Sequence, residues 1–294
     1  MKEHLSSITV ANLGYVEKLK DIPIFLFNMF NDYYIIPLRQ PLRFTVALTI
    51  TLLRAKETYK ILKTVKSPLK RITELQAEKL SKAIGAPVKV GFSYSKPFLK
   101  NERFTIPMFN FFSFTTHGKI MKSSKKTAPP FCIFGEFFEL VEKKIEKASK
   151  QCRGSCAVIL SAHSLPLKLL ENTKDPYRHD LEVFLNYLRK RLKKPIYLSF
   201  QSRLGPVRWL EPSTEKVIKK LSREYNSLLV FPISFAAENT ETVYEIEKTY
   251  KSITRKLKTE LIRIPCFNDS EEFIKFLKTV YGASTRFSRS QGTV

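Results

Sequence analysis

Apolar positions along this chain alternate between a spacing of two and a spacing of three to four, and the alternation runs from end to end. Ser7-Ile-Thr-Val-Ala-Asn-Leu13 predicts a first strand, stopped by Gly14. Residues 22 to 66 carry a mostly helical pattern, interrupted by the aromatic-rich Asp32-Tyr-Tyr-Ile-Ile-Pro37. Ile72, Leu75, Leu80, Ala83 and Ile84 form a helical stripe ending at Gly85, a residue suited to a left-handed cap. Val88, Val90, Phe92 and Tyr94 then recur at period two, as do Phe104, Ile106 and Met108, predicting two more strands.

A second series starts near Phe131. Phe137, Phe138, Val141, Ile145 and Ala148 share one helix face, before an apolar strand leading to His163. Leu181, Phe184, Leu185, Leu188 and Leu192 mark the next helix, before a strand from Pro195 to Phe200. Val217, Ile218 and Leu221 precede a strand from Leu228 to Phe235, and a helix from about Thr240 leads to Leu261-Ile-Arg-Ile-Pro265. Asp269 and Glu272 read as a capping box for a final helix carrying Phe273, Ile274, Leu277, Val280 and Tyr281, with a loose polar tail after Gly282. Ser123-Ser-Lys-Lys-Thr-Ala-Pro-Pro130 reads as a linker. The pattern predicts an α/β fold of two Rossmann-like lobes, each a parallel sheet flanked by helices. The first lobe spans residues 1–130 and the second 131–269. Residues 270–294 form a C-terminal helix and tail, the helix packing back on the first lobe.

Three of the predicted strands end in polar clusters: His163 just past the first, Gln201-Ser202-Arg203 after the second, and Glu238-Asn239-Thr240-Glu241 after the third. Groups beyond the carboxyl ends of parallel strands converge on one crevice, where ligands bind. A neutral imidazole accepts a proton or binds a borderline metal. Glu241, Glu245 and Thr249 fall at i, i+4 and i+8, one face of a regular helix, where carboxylates can hold a divalent ion or pass protons.

Composition narrows the partners. The 294 residues, 43% of them hydrophobic, suffice for real cores. Lysine and arginine number 51 against 27 acidic residues, a formal charge of +24, and the sequence pI is near 9.8. Such a balance favours an anionic partner, although runs such as Glu142-Lys-Lys-Ile-Glu-Lys147 are solvated helix faces. No nucleic-acid recognition motif is visible, so nucleic acid is not expected. Four cysteines (Cys132, Cys152, Cys156 and Cys266) are too few for a disulfide framework and have no second pair at metal-ligand spacing. They are expected to be reduced cytoplasmic thiols. Lys2, Glu3 and His4 precede only a short apolar run, unlike a signal peptide. The apolar run Phe44–Leu53 is about half the roughly 20 residues a spanning helix needs. Arg39, Arg43 and Arg54 flank it, the pattern of an interfacial segment. The expectation is a cytoplasmic protein, peripheral to anionic membranes.

Taken in order, Ser161-Ala-His-Ser-Leu-Pro166, Asp175-Pro-Tyr177, Phe200-Gln-Ser-Arg-Leu-Gly-Pro-Val-Arg-Trp-Leu-Glu-Pro212, Pro232-Ile-Ser-Phe-Ala-Ala-Glu-Asn-Thr-Glu-Thr-Val-Tyr-Glu-Ile-Glu247 and Ile264-Pro-Cys-Phe-Asn-Asp269 resemble the motifs of the ferrochelatase family. The likeness runs from about residue 7 to 282 and is strongest in the second half. It implies insertion of ferrous iron into a porphyrin, the last step of haem synthesis, with iron and porphyrin as substrates. No cofactor is implied, and an iron–sulfur cluster is not expected. By the same resemblance His163 and Glu241 are catalytic, His163, Glu241 and Glu245 handle the metal, and Ser67, Tyr94, Arg203 and Trp209 bind the porphyrin. Arg203 equally suits fixing its own loop, and Trp209 plugging the core. Phe25, Leu26, Phe27, Met29 and Phe30, with residues 44 to 53, would form a lip that grips the macrocycle.

The sequence departs from the family's pattern in several places. Glu238-Asn239 replaces an Asp-His pair, and the glycine-rich turn before Ser67-Pro68 is Thr64-Val-Lys. Asn110 replaces a proline, and Ser93 stands where many members carry a propionate-binding arginine. Leu13 occupies the position of the tyrosine that marks the coproporphyrin-using branch, which favours protoporphyrin. A protein of the same fold that binds porphyrin or haem without catalysis is the alternative these departures motivate.

Overall fold

The structure is a computed structural model describing residues 7–203, 205 and 207–290, with side chains described as far as Thr285. Lys2–His4, Leu204 and Pro206 of the family block, and the end of the tail lie outside the described residues. The chain divides into two compact units. The first comprises the residues up to Pro130 with Ala237–Thr240 and Asn268 onward, and the second comprises Phe131–Ala236 and Glu241–Phe267.

In the first unit, β1 (Ile8–Asn12) is followed by α1 (Ile22–Phe30), α2 (Leu42–Thr64), α3 (Leu69–Ile84), β2 (Val88–Phe92), β3 (Phe104–Pro107) and α4 (Phe114–Lys122). The sheet is parallel with order β2-β1-β3. All five residues of β1 are buried, as expected of a central parallel strand covered on both faces. Asn12 Nδ2 donates to Thr73 Oγ1 at 2.9 Å and ties the end of β1 to α3. Gly85 closes α3 in the left-handed conformation (φ 67°), its N–H bonded to the Ser81 carbonyl. The predicted strand at 88–94 stops two residues early, at Phe92, whose N–H bonds to the Pro97 carbonyl.

α1 buries Ile22, Leu26 and Phe30. α2 buries only Ala47 and Thr51 over 23 residues, and leaves Phe44, Leu48, Leu52 and Leu53 exposed, the last two at 71% and 75%. The segment at 44–53 is therefore an uncovered apolar face and not helical core. Among the described residues no helix is long and apolar enough to cross a membrane.

The second unit runs α5 (Gly135–Ser149), β4 (Cys156–His163), α6 (Leu167–Thr173), α7 (Tyr177–Leu192), β5 (Ile196–Gln201), α8 (Thr214–Leu221), β6 (Ser227–Phe231), α9 (Thr240–Tyr244), a π-helical turn (Glu245–Tyr250), α10 (Lys251–Lys256) and β7 (Glu260–Arg263). Its sheet is also parallel, with order β5-β4-β6-β7. The strand predicted to reach Phe235 ends at Phe231, because Pro232 has no N–H to extend the ladder. Ile233 returns to bond the Ser161 carbonyl at 3.1 Å.

Two expectations are corrected. Cys152 and Cys156 are joined in a disulfide and are not free thiols. Gly154, at φ 71°, folds the turn between α5 and β4 back on itself and leaves the two Cα atoms 6.2 Å apart, within the range a disulfide spans. The C-terminal segment does not loosen after Gly282: α11 (Glu271–Ser290) continues through it. Ser284 Oγ and Thr285 Oγ1 donate to the Val280 and Gly282 carbonyls, and Lys126 Nζ donates to the Ser284 carbonyl. α11 packs on α3 within the first unit, with the Tyr281 ring 6.2 Å from that of Phe104.

Candidate active site

The site begins in the register of two strands. Tyr197 lies opposite Ile159, Ser199 opposite Ser161, and Gln201 opposite His163. Residues two apart share a face of the sheet, so one face turns from apolar to hydroxyl to imidazole and amide on nearing the carboxyl end. His163 is the last residue of β4, not a residue beyond it. Its backbone is clamped on both sides: its N–H donates to Ser234 Oγ at 2.9 Å, and its carbonyl accepts from the Tyr177 hydroxyl at 3.0 Å. Tyr177 and Ser234 also meet each other at 2.5 Å. Tyr177 is buried and is presented by the Asp175-Pro-Tyr turn, in which Asp175 Oδ1 accepts the Tyr177 N–H at 3.0 Å.

His163 Nδ1 lies 3.3 Å from Glu241 Oε2, with side-chain exposures of 31% and 49%. Burial acts most strongly on the ring and disfavours its charged form. The charge and hydrogen bond of Glu241, with the charge of Glu245, outweigh it together and raise the imidazole above its ordinary value. Glu245 lies deeper. Its Oε1 accepts from Ser202 Oγ at 2.7 Å and its Oε2 from the Tyr250 hydroxyl at 2.8 Å. Burial first, and Glu241's charge second, push its carboxyl up to about 7 against the opposing effect of those two donors.

The expected ladder of Glu241, Glu245 and Thr249 is corrected by the π turn. There the repeat lengthens to five, and the side chain that meets Glu245 is Tyr250. The three candidate metal ligands are unequally placed. Hydroxyls occupy both oxygens of Glu245, and among the described residues no three His, Cys, Asp or Glu side chains are gathered as a ready metal site. Glu241, beside the imidazole, is the more accessible carboxylate.

The porphyrin-binding candidates fare unevenly. Arg203 is paired with Glu211 and reaches the Leu210 carbonyl at 3.5 Å, so it braces its own loop. Trp209 is half-buried and bridges to Pro166. Its indole N–H has no acceptor among the described residues. Ser67 is half-buried just before α3 in the first unit. Tyr94 corrects its expectation. It is 1% exposed, with the Lys119 ammonium 4.4 Å from its ring centre and Lys119 paired to Asp32 at 3.3 Å. It offers no surface to a ligand. Sequence reasoning assigned no role to Tyr177, Ser234, Ser202 or Tyr250, although Tyr177 lies in the Asp175-Pro-Tyr motif, Ser202 in the Gln201-Ser202-Arg203 cluster and Ser234 in the block from Pro232 to Glu247.

Parallel α/β units, one with an imidazole at the end of a strand that meets the carboxylate of Glu241, give the architecture of a chelatase-type protein. A multi-domain protein of Deinococcus radiodurans, described as structurally similar to chelatases but with two additional novel domains, shares this fold. It matches with a TM-score of 0.53 at 9% identity over 93% of this chain and 54% of its own. The chain belongs to the ferrochelatase family, whose profile matches residues 6–284. Similar proteins include the ferrochelatases of Aquifex aeolicus (33% identical, covering 92% of this chain and 96% of that one), Rickettsia conorii (30%, 95% and 90%) and a Sulfurihydrogenibium species (29%, 95% and 98%).

The raised carboxyl of Glu245 has a signed consequence for stability. Folded and unfolded chains are both protonated below about 4.5, the ordinary value, and only the folded chain stays protonated between there and about 7. Stability from this group is therefore present at low pH and lost as pH rises through 7. Glu245→Gln cannot ionise, so its melting temperature should gain on the wild type at pH 8 relative to pH 5. A difference that does not change with pH would contradict the assignment. His163→Ala should leave the fold intact, because the partly exposed ring ends its strand and the clamp from Tyr177 and Ser234 acts on the backbone. Circular dichroism and thermal melting check this, and loss of soluble protein would show that the ring is structural.

Proposed function

We propose that this protein inserts ferrous iron into protoporphyrin, releasing two pyrrole protons, with His163 and Glu241 as the reacting pair. The contact between His163 Nδ1 and Glu241 carries the reading. A carboxylate beside an imidazole stabilises the imidazolium formed when the ring takes a proton. His163 accepts a pyrrole proton. Glu241, open to solvent, passes it out and offers a hard oxygen to the incoming ion. Glu245, with its carboxyl near 7, takes up and releases protons at working pH, the property required of an acid–base relay. Iron and porphyrin are both substrates, and no resident cofactor is required. Leu13 supports protoporphyrin over coproporphyrin.

Purified protein mixed anaerobically with free-base protoporphyrin and Fe(II), or Zn(II) as a surrogate, should convert the porphyrin spectrum to that of the metal complex. Binding without conversion would leave a porphyrin carrier instead. Within that assay His163→Ala should abolish turnover. Glu241→Gln should slow it more than Glu245→Gln, by roughly the 10²–10⁴-fold typical of removing a general acid or base. Equal or reversed effects would show that the two carboxylates are misassigned.

We also propose that the enzyme works in the cytoplasm, docked on anionic membranes through α2. Leu48, Leu52 and Leu53 are exposed on that helix, and Arg43 and Arg54 flank them. Each cation near an anionic surface contributes about 1 kcal/mol, and a sparingly soluble substrate gives the docking a purpose. The protein should sediment with phosphatidylserine vesicles at low salt and be released at high salt. Leu52→Glu/Leu53→Glu should abolish sedimentation. Failure of the wild type to sediment would end this part of the proposal alone.

A further inference from the structure

The motif Ile264-Pro-Cys-Phe-Asn-Asp269 takes no part in the proposed chemistry, yet its last two residues form a turn held from two sides. Asn268 adopts the left-handed conformation (φ 53°), a region in which asparagine is favoured over most residues that carry a side chain. Its carbonyl accepts from Nε2 of Gln76, a fully buried residue of α3, at 2.7 Å. Lys79, nearly one helical turn further along α3, donates to the Asp269 carbonyl at 2.7 Å and pairs with its carboxylate. The turn is thereby fastened to α3, and the Asn268 side chain reaches away from it. Its Oδ1 accepts the backbone N–H of Glu238 at 2.9 Å.

Glu238 is 4% exposed, and a buried N–H deprived of its acceptor costs about 1–3 kcal/mol. Two residues later α9 begins at Thr240, and Glu241 stands in its first turn. A contact made just before a helix fixes the angle at which the chain enters it. We infer that Asn268 is a positioning residue for Glu241: by holding the backbone at Glu238 it fixes the start of α9 and keeps the Glu241 carboxylate against the His163 ring. The inference rests on the proposed role of Glu241 in chelation.

Asn268→Gly keeps the left-handed turn and removes the acceptor, whereas Asn268→Asp keeps an acceptor at the same atom. We expect Asn268→Gly to lower kcat by roughly ten-fold or more, as misplacement of a catalytic group does, with KM for protoporphyrin unchanged. Asn268→Asp should remain near wild type. In a Glu241→Gln background Asn268→Gly should cost nothing further, since effects passing through one group are not additive. Gln76→Met keeps the side chain's length and removes its donor. It should act in the same direction, and it carries the test if the glycine variant does not fold. Equal loss in both backgrounds, or as large a loss in Asn268→Asp as in Asn268→Gly, would overturn the inference. Crystal structures need no turnover: the 3.3 Å contact between His163 Nδ1 and Glu241 should be lost in Asn268→Gly and kept in Asn268→Asp. A glycine variant that keeps the contact sinks the positioning role even if the wild type is a chelatase. Loss of the contact in a protein that inserts no metal would uphold the positioning and overturn the function alone.

Discussion

Parallel pairing of β4 with β5 and β6 is the constraint from which the site follows. Its register puts Ile159 beside Tyr197, then Ser161 beside Ser199, then His163 beside Gln201. In a parallel sheet buried on both faces, polar side chains inside the strands need partners, and these strands supply them to one another and to Thr214. A slip of one residue would exchange the two faces and leave the hydroxyls in the apolar layer. The site is therefore the polar end of the sheet's own packing.

Two glutamates one helical turn apart acquire different chemistry from their surroundings. Glu241 is half exposed and faces the imidazole. Glu245 is withdrawn among hydroxyls, and burial raises its carboxyl to about 7. Two carboxyls held in unlike environments can divide the work of a proton transfer, one remaining ionised while the other takes and gives protons near neutrality. The division depends on depth, and the π turn sets the depth by placing Tyr250, not Thr249, against Glu245.

The fold was legible where burial is periodic. Parallel strands buried on both faces read as apolar runs, so β4, β5 and the start of β6 were visible, as were the stripes of α3, α5 and α7. Pairing of the motifs was legible too, since His163 and Glu241 end neighbouring strand–loop units. What escaped were features that leave no periodic trace. Residues 240–256 have the same apolar spacing whether or not a single turn widens, so the π turn was invisible. Tyr94 is covered by Lys119, which pairs with Asp32 from a distant part of the first unit, and no local pattern encodes that contact. The disulfide depends on a left-handed Gly154 closing a five-residue turn, and its two cysteines read as free thiols because four is a small number.

The same reasoning separates α2 from the rest of the chain. α3 and α5 hide their apolar stripes: α3 buries Leu69, Ala77 and Leu80 and α5 buries Phe137, Val141 and Ile145. α2 leaves its largest side chains in the open, and an apolar face of that kind is unfavourable in water at about 25 cal/mol per Å². Thr45, Thr49, Arg43 and Arg54 share the helix with those leucines, and mixed polar and apolar content is the composition of a segment that lies in an interface without crossing it. A charge of +24 spread over the whole chain would hold such a helix near an anionic surface without specifying which face meets it. On the proposed anionic surface the exposed leucines would supply the specificity and the charge the range.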